Sequence, residues 1–184
     1  GYGSKSGKAP KTGITRATAR TNATAKGDGW RQDDFAAYCA RCLLYLVEFA
    51  DFNSQAKLGN GWTSQSAGTN TGGTDSMLYH TGRPDGENGH TAVQYRHIEN
   101  PFGNVFTWVD GINMNNENVY VCTDPSKYAD DTSDNYTFIG TRATSEGYVK
   151  KISVPSGENN WCMFPTEVGA SSVTYLCDYS AYGT

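Results

Sequence analysis

Over the first 29 residues small and polar side chains follow one another without a regular period, and from Trp30 apolar positions begin to recur at fixed steps. The first stretch reads as an extended arm, within which residues 13–18 could supply a short edge strand. The strongest pattern lies over residues 33–51, DDFAAYCARCLLYLVEFAD. There Phe35, Cys39, Cys42, Leu43, Leu46 and Ala50 fall at three- and four-residue steps and share one face of a helix. Asp33 and Asp34 suit its N-terminus, where unpaired amides and the helix dipole favour a carboxylate. Leu44, Tyr45, Val47 and Phe49 widen the apolar face until only Arg41 and Glu48 mark a polar stripe. A helix this apolar is expected to be largely buried, against a sheet or a partner chain.

After Asn60 the helical period gives way to turn dipeptides and tripeptides: Asn60-Gly61, Gly72-Gly73, Pro84-Asp85-Gly86, Asp110-Gly111 and Pro155-Ser156-Gly157. Between them, residues 91–98, 105–109, 119–122, 136–139, 148–154 and 173–177 lean toward strands. The fold class this predicts is α+β: one long buried helix at about 33–51 with a small twisted antiparallel sheet and long loops. The domain reading is an arm over 1–29 and one domain over 30–184.

Composition narrows the picture. Twelve Tyr, seven Phe and four Trp in 184 residues exclude a disordered chain, which lacks aromatics. No run of about 18 apolar residues occurs, so no transmembrane helix is expected. Charge is segregated: Lys5, Lys8, Lys11, Arg16, Arg20 and Lys26 face only Asp28 in the first 29 residues, against nine bases and eighteen acids in the remainder. The acidic body repels nucleic acid, and the arm has no aromatic but Tyr2 to stack on bases. The arm is expected to be a solvated leader or an inter-subunit contact.

Candidate chemistry is sparse. Cys39, Cys42, Cys122, Cys162 and Cys177 are too few and too far apart for a disulfide framework, so reduced or partly paired thiols are expected. The C-x-x-C of Cys39 and Cys42 lacks a second ligand pair for zinc and lies inside the apolar helix, which points to core packing. His80, His90 and His97 match no metal or catalytic spacing. Oxygen-rich turns at Asp85, Glu87 and Asn88, and at Asp130, Asp131 and Asp134, raise calcium as a question, but neither has EF-hand spacing, and no cofactor is expected. No G-x-S-x-G or phosphate-binding loop occurs.

The stretch YRHIENPFGNVFTWVDGI, residues 95–112, resembles the G-N-V-W-E-W string of C-type lectin fold domains of the formylglycine-generating, sulfatase-modifying type. The matching residues are Ile98, Glu99, Asn100, Gly103, Asn104, Val105, Trp108, Val109, Asp110, Gly111 and Ile112, with Phe106 where Trp is usual and Thr107 where Glu is usual. Of these, Gly103, Asn104, Val105, Trp108, Asp110 and Gly111 read as a fold anchor: a turn, a strand whose bulky residues join sheet to helix, and a second turn.

Further strings, DSMLYHTGRP, FPTEVGASS and YLCDY, are similar to landmarks of phage and prophage tail-associated domains and of the variable proteins of diversity-generating retroelements, including phage tropism determinants. The resemblance covers about residues 15–179. It implies a non-enzymatic display domain of a virion or bacterial surface protein that recognises a bacterial surface protein or glycan, assembled with itself or with other virion proteins. An R-V-x-x-x-G-G stretch that usually follows is missing before Thr184. With it would go the reactive cysteine pair of an oxidase, and Cys162 and Cys177 lie in no matching motif. Trp62, Trp161 and the loops at 63–73 and 124–135 are the expected recognition surface. The alternative is a purely structural virion or filament subunit assembled through its basic arm.

Overall fold

The computed structural model describes residues 5–62, 68–84, 91–171 and 179–180. The expected strand at 173–177, His90, Cys177 and the turn carboxylates Asp85 and Glu87 with Asn88 lie outside these residues. The described residues form three α-helices and nine short strands, a mixed α+β architecture with small antiparallel sheets.

The basic segment is not extended. Helix α1 spans Arg16–Thr24, and Thr15 caps it by accepting a hydrogen bond from the Thr18 amide. Residues 13–18 therefore supply a helix cap and first turn, not an edge strand. Three alanines and two arginines favour a helix there, but nine residues are too few to hold it without tertiary contacts. Those contacts come from Arg16 and Arg20, described below.

Helix α2, Phe35–Phe49, follows the predicted period closely. Asp34 caps it by accepting from the Ala37 amide at 2.9 Å, and Ala50 ends it in the left-handed region, its N–H on the Leu46 carbonyl. Phe35, Cys39, Cys42 and Tyr45 are buried along one stripe, but Leu43, Leu44 and Val47 are exposed. The expectation of a largely buried helix is thus corrected: one face is covered and a second apolar face is open. A short helix α3, Ser54–Leu58, capped by Asn53, was not visible as a period.

The expected single sheet is three separate three-stranded sheets. Strands β1 (Thr81–Gly82), β2 (Gln94–Tyr95) and β3 (Ile98–Glu99) form the first, in that order. The run at 91–98 is broken because Arg96 and His97 turn the chain between β2 and β3. Strands β4 (Ile112–Asn115), β5 (Asn118–Val121) and β6 (Thr137–Thr141) form the second. In the third, β7 (Gly147–Ser153) lies between β8 (Phe164–Val168) and β9 (Tyr179–Ser180). Pro165 sits in β8, an edge strand, where a missing amide is tolerated. Residues 105–109 form no strand. Their run ends at Asp110, which makes an isolated parallel bridge with Asp34 just before α2.

The chain divides into two compact units, each built from separated stretches. One gathers residues 5–13 and 51–107; its core holds Leu58, Ala92, Val93, Tyr95 and Phe102. In it Gly61 and Gly103, both at positive φ, let two backbone stretches meet. A Cβ on Gly103 would lie 2.7 Å from the Asn60 carbonyl oxygen. The other gathers residues 14–50 and 108–171 with β9; its core joins the buried stripe of α2 to Val119, Val121, Val149, Cys162, Met163 and Phe164.

Cys39, Cys42, Cys122 and Cys162 are all buried and in no disulfide. Cys39 sits where its sulfur accepts the Met163 amide at 3.4 Å, and burial pushes its thiol up to about 12 and that of Cys162 up to about 11. These are core thiols. An unfolded thiol ionises near pH ~8.5, so above that pH the unfolded chain loses its protons first and stability falls as pH rises toward the folded values. Mass-mapped alkylation at pH 8 should leave these four unlabelled until denaturant is added; rapid labelling of Cys39 in the native protein would contradict their placement.

Candidate functional site: a buried charge cluster and the exposed aromatics

Asp110 lies between two short structural events. Its amide donates to the Asp33 carbonyl at 2.9 Å, and its carbonyl accepts the Phe35 amide at 2.8 Å, so its backbone is fixed against the start of α2. Its side chain is 2% exposed. A carboxylate buried so deeply requires a partner, and α1 supplies one. Arg20 Nε donates to Oδ2 at 2.9 Å and a terminal nitrogen donates to Oδ1 at 2.5 Å, a bidentate pair. The same guanidinium reaches Asp130 Oδ1 at 2.7 Å.

One helical turn earlier, Arg16 reads the surrounding backbone. It donates to the carbonyls of Val109, Ile112, Ala129 and Asp130 and to Asn113 Oδ1, with its Nε on Asp130 Oδ1 at 3.3 Å. Asn113 in turn donates to the Ala129 and Thr132 carbonyls. Tyr136 accepts the Ala129 amide, and Tyr128 donates to the capping carboxylate of Asp34 at 3.2 Å. The loop at 129–132 thus has no regular structure of its own but is held at nearly every residue by a side chain.

The electrostatics follow the geometry. Hydrogen bonding to Asp110 raises the Arg20 pKa against the opposing effect of burial. Burial pushes the Asp130 carboxyl up, but Arg20 and Arg16 outweigh it and hold it below its ordinary value. Asp130 Oδ2 also accepts the Ala17 amide at 3.0 Å. Both its oxygens are therefore committed to α1, so this member of the oxygen-rich 130–134 group serves arginines. Among the described residues no group of three or more His, Cys, Asp or Glu is arranged to hold a metal ion.

The residues of the G-N string separate into several roles. Gly103 makes the close backbone approach already described, and Asn104 Oδ1 accepts the Thr69 amide at 3.2 Å. Val105 lies against Gly68, where an added Cβ would be 2.8 Å from its Cγ1. Trp108 donates its indole N–H to the Ile14 carbonyl at 2.8 Å, yet half of its ring is exposed. Gly111 sits at positive φ, with space for a Cβ filled by the Cys122 carbonyl and the Tyr128 ring. Phe106, one of the bulky residues of the strand expected to join sheet to helix, is 92% exposed. With no strand at 105–109, alternation no longer decides which side chain faces inward.

Trp161 is half-buried and meets the α2 residue Phe35 edge-on, with ring centroids 6.1 Å apart; Trp62 is also half-buried. Among the described residues the most exposed large apolar side chains lie elsewhere, at Phe106, at Val47, and at Leu78 and Tyr79. Sequence periodicity carried no signal for Leu78 and Tyr79, because they sit in an irregular segment.

In the unit that holds these two, Glu99 fixes a second loop. Its carboxylate accepts the Gly72 amide at 2.8 Å, the Thr74 amide at 2.9 Å and the Thr74 hydroxyl at 2.6 Å. Residues 5–8 join that loop through Thr71, which exchanges backbone hydrogen bonds with Gly7 and Lys8. No family model matches the chain, and no curated protein or solved structure is significantly similar to it.

Arg20→Ala would leave the Asp110 carboxylate buried without its bidentate partner, and is expected to cost about 3–5 kcal/mol in urea unfolding. A loss within experimental error would show that the cluster does not hold the fold. Because Asp130 is held below its ordinary value, the unfolded chain takes up its proton first as pH falls. Its contribution is intact above the unfolded value of ~3.9 and is lost as pH drops through and below it. The urea midpoint should therefore fall between pH 6 and pH 3, and less steeply in Asp130→Asn.

Proposed function

We propose that the chain is a non-enzymatic display domain of C-type lectin-like fold, from a phage or prophage structural protein, that binds a bacterial surface protein or glycan. The observation that carries this reading is the way irregular loops are fixed. Arg16 and Asn113 hold 109–113 and 129–132, and Glu99 holds 72–74, all through side chains bonded to backbone. Loops held in this manner lose little entropy on binding, which is what a recognition surface needs. Exposed aromatic and aliphatic side chains at Tyr79, Leu78 and Phe106 offer contact area of the kind that anchors interfaces. The resemblance of residues 95–112 to the lectin-fold string agrees with this arrangement.

The reading as a virion subunit assembled through a basic arm is less favoured. Two of the arm's cations, Arg16 and Arg20, are engaged with Asp110 and Asp130 of the same chain. Binding of fluorescent protein to a panel of Gram-negative and Gram-positive cells tests the display reading. Saturable binding to some strains and not others is expected, whereas uniform absence of binding, together with salt-sensitive oligomers in light scattering, would favour the assembly role.

A further inference from the structure

One place in the unit formed by residues 5–13 and 51–107 combines backbone strain, exposed apolar surface and unspent hydrogen-bonding groups. Strands β2 and β3 are joined by two residues, Arg96 and His97, with φ of +47° and +68°. That is the φ pattern of a type I′ turn, for which Asn-Gly is preferred because both positions are left-handed. Side chains with a Cβ pay for that conformation at each position, and such strain persists where the side chains are needed.

The His97 ring stacks on His80, with centroids 3.8 Å apart and planes 28° apart. The His97 amide donates to the His80 carbonyl at 3.2 Å, so the two rings are held by backbone as well. His80 Nδ1 is paired with Oε1 of the buried Gln94 at 3.3 Å, which fixes the ring's orientation. Among the described residues nothing bonds to His80 Nε2 or to either ring nitrogen of His97. Immediately before His80, Leu78 and Tyr79 are 81% and 78% exposed.

We propose that Tyr79, His80 and His97 form a binding tip for a neutral saccharide. This rests on the display reading above and names its ligand class and place. The chemistry matches in two respects. A neutral imidazole offers one donor and one acceptor, which complements sugar hydroxyls that both donate and accept. An exposed tyrosine ring offers a rigid face to the C–H surface of a sugar at low entropic cost. A tip of so few residues is smaller than the twenty to thirty residues per side of a typical protein interface.

The test uses the intact chain on an immobilised array of neutral hexose, deoxyhexose and N-acetylhexosamine oligosaccharides, alongside the cell panel. Wild type is expected to bind a subset of the array. Tyr79→Ala and His97→Ala should each weaken that binding at least tenfold. The double variant Arg96→Asn/His97→Gly should lose binding while melting at a higher temperature, since it installs the favoured turn. A gain in stability with loss of binding separates a working tip from a merely structural turn.

No binding to the array, or binding unchanged in these variants, overturns the tip. If the cells are still bound equally by wild type and variants, the display reading stands while the tip falls. Adhesion removed by protease and untouched by periodate oxidation points to a protein partner and overturns the saccharide assignment. Tip-dependent array binding without any cell binding supports the tip and overturns the display reading.

Discussion

The unit formed by residues 14–50 and 108–171 depends on a single constraint: Asp110 is buried, and a buried carboxylate must be neutralised. Its backbone is bridged to the start of α2, so it has little freedom to move toward water. The charge must come to it. Arg20 brings that charge, and in doing so turns a nine-residue segment with no buried side chain into a docked helix. Arg16 is then placed, one turn away, where four carbonyls converge. The docking of α1 and the geometry of the 129–132 loop thus follow from one ion pair.

Such an arrangement stabilises differently from an apolar core. Replacing a buried ion pair with well-packed apolar residues is often neutral, whereas removing one partner is costly. The pair therefore contributes specificity: few other positions in the chain would satisfy both guanidinium groups at once. Asn113 and Tyr136 extend that specificity outward, and the 129–132 loop takes one conformation because its polar backbone groups have one set of partners.

What the sequence disclosed and what it concealed divide along the same physical line. Helix α2 was legible to within two residues at each end because its burial follows a 3.6-residue period, and β5, β6 and β7 because apolar runs mark them. Helix α1 was not, since Arg16 and Asp130 are 114 positions apart and no local pattern announces their pairing. Asp110 was visible as part of a recognisable string, but its neighbours suggested only a turn. Strand β4, INMN, carries too many asparagines to read as a strand, and β8 contains a proline. The tip at His80 and His97 was the least legible: the two histidines stand seventeen positions apart, brought together by a turn whose residues are not the ones that turn prefers.

The division of the chain into units bears on how it is made. Neither unit is continuous: residues 14–50 separate the two stretches of one, and the other is interrupted by residues 51–107 and draws its strand β9 from positions 179–180, beyond 171. A ribosome that has delivered residues 14–50 has exposed α2, with its two apolar faces, long before β4 or Asp110 exists to receive it. The nascent protein must keep that helix from other hydrophobic surfaces until more than sixty further residues have emerged. Its vulnerable moment is synthesis, and the demand falls on the cell's chaperones before it falls on the finished fold.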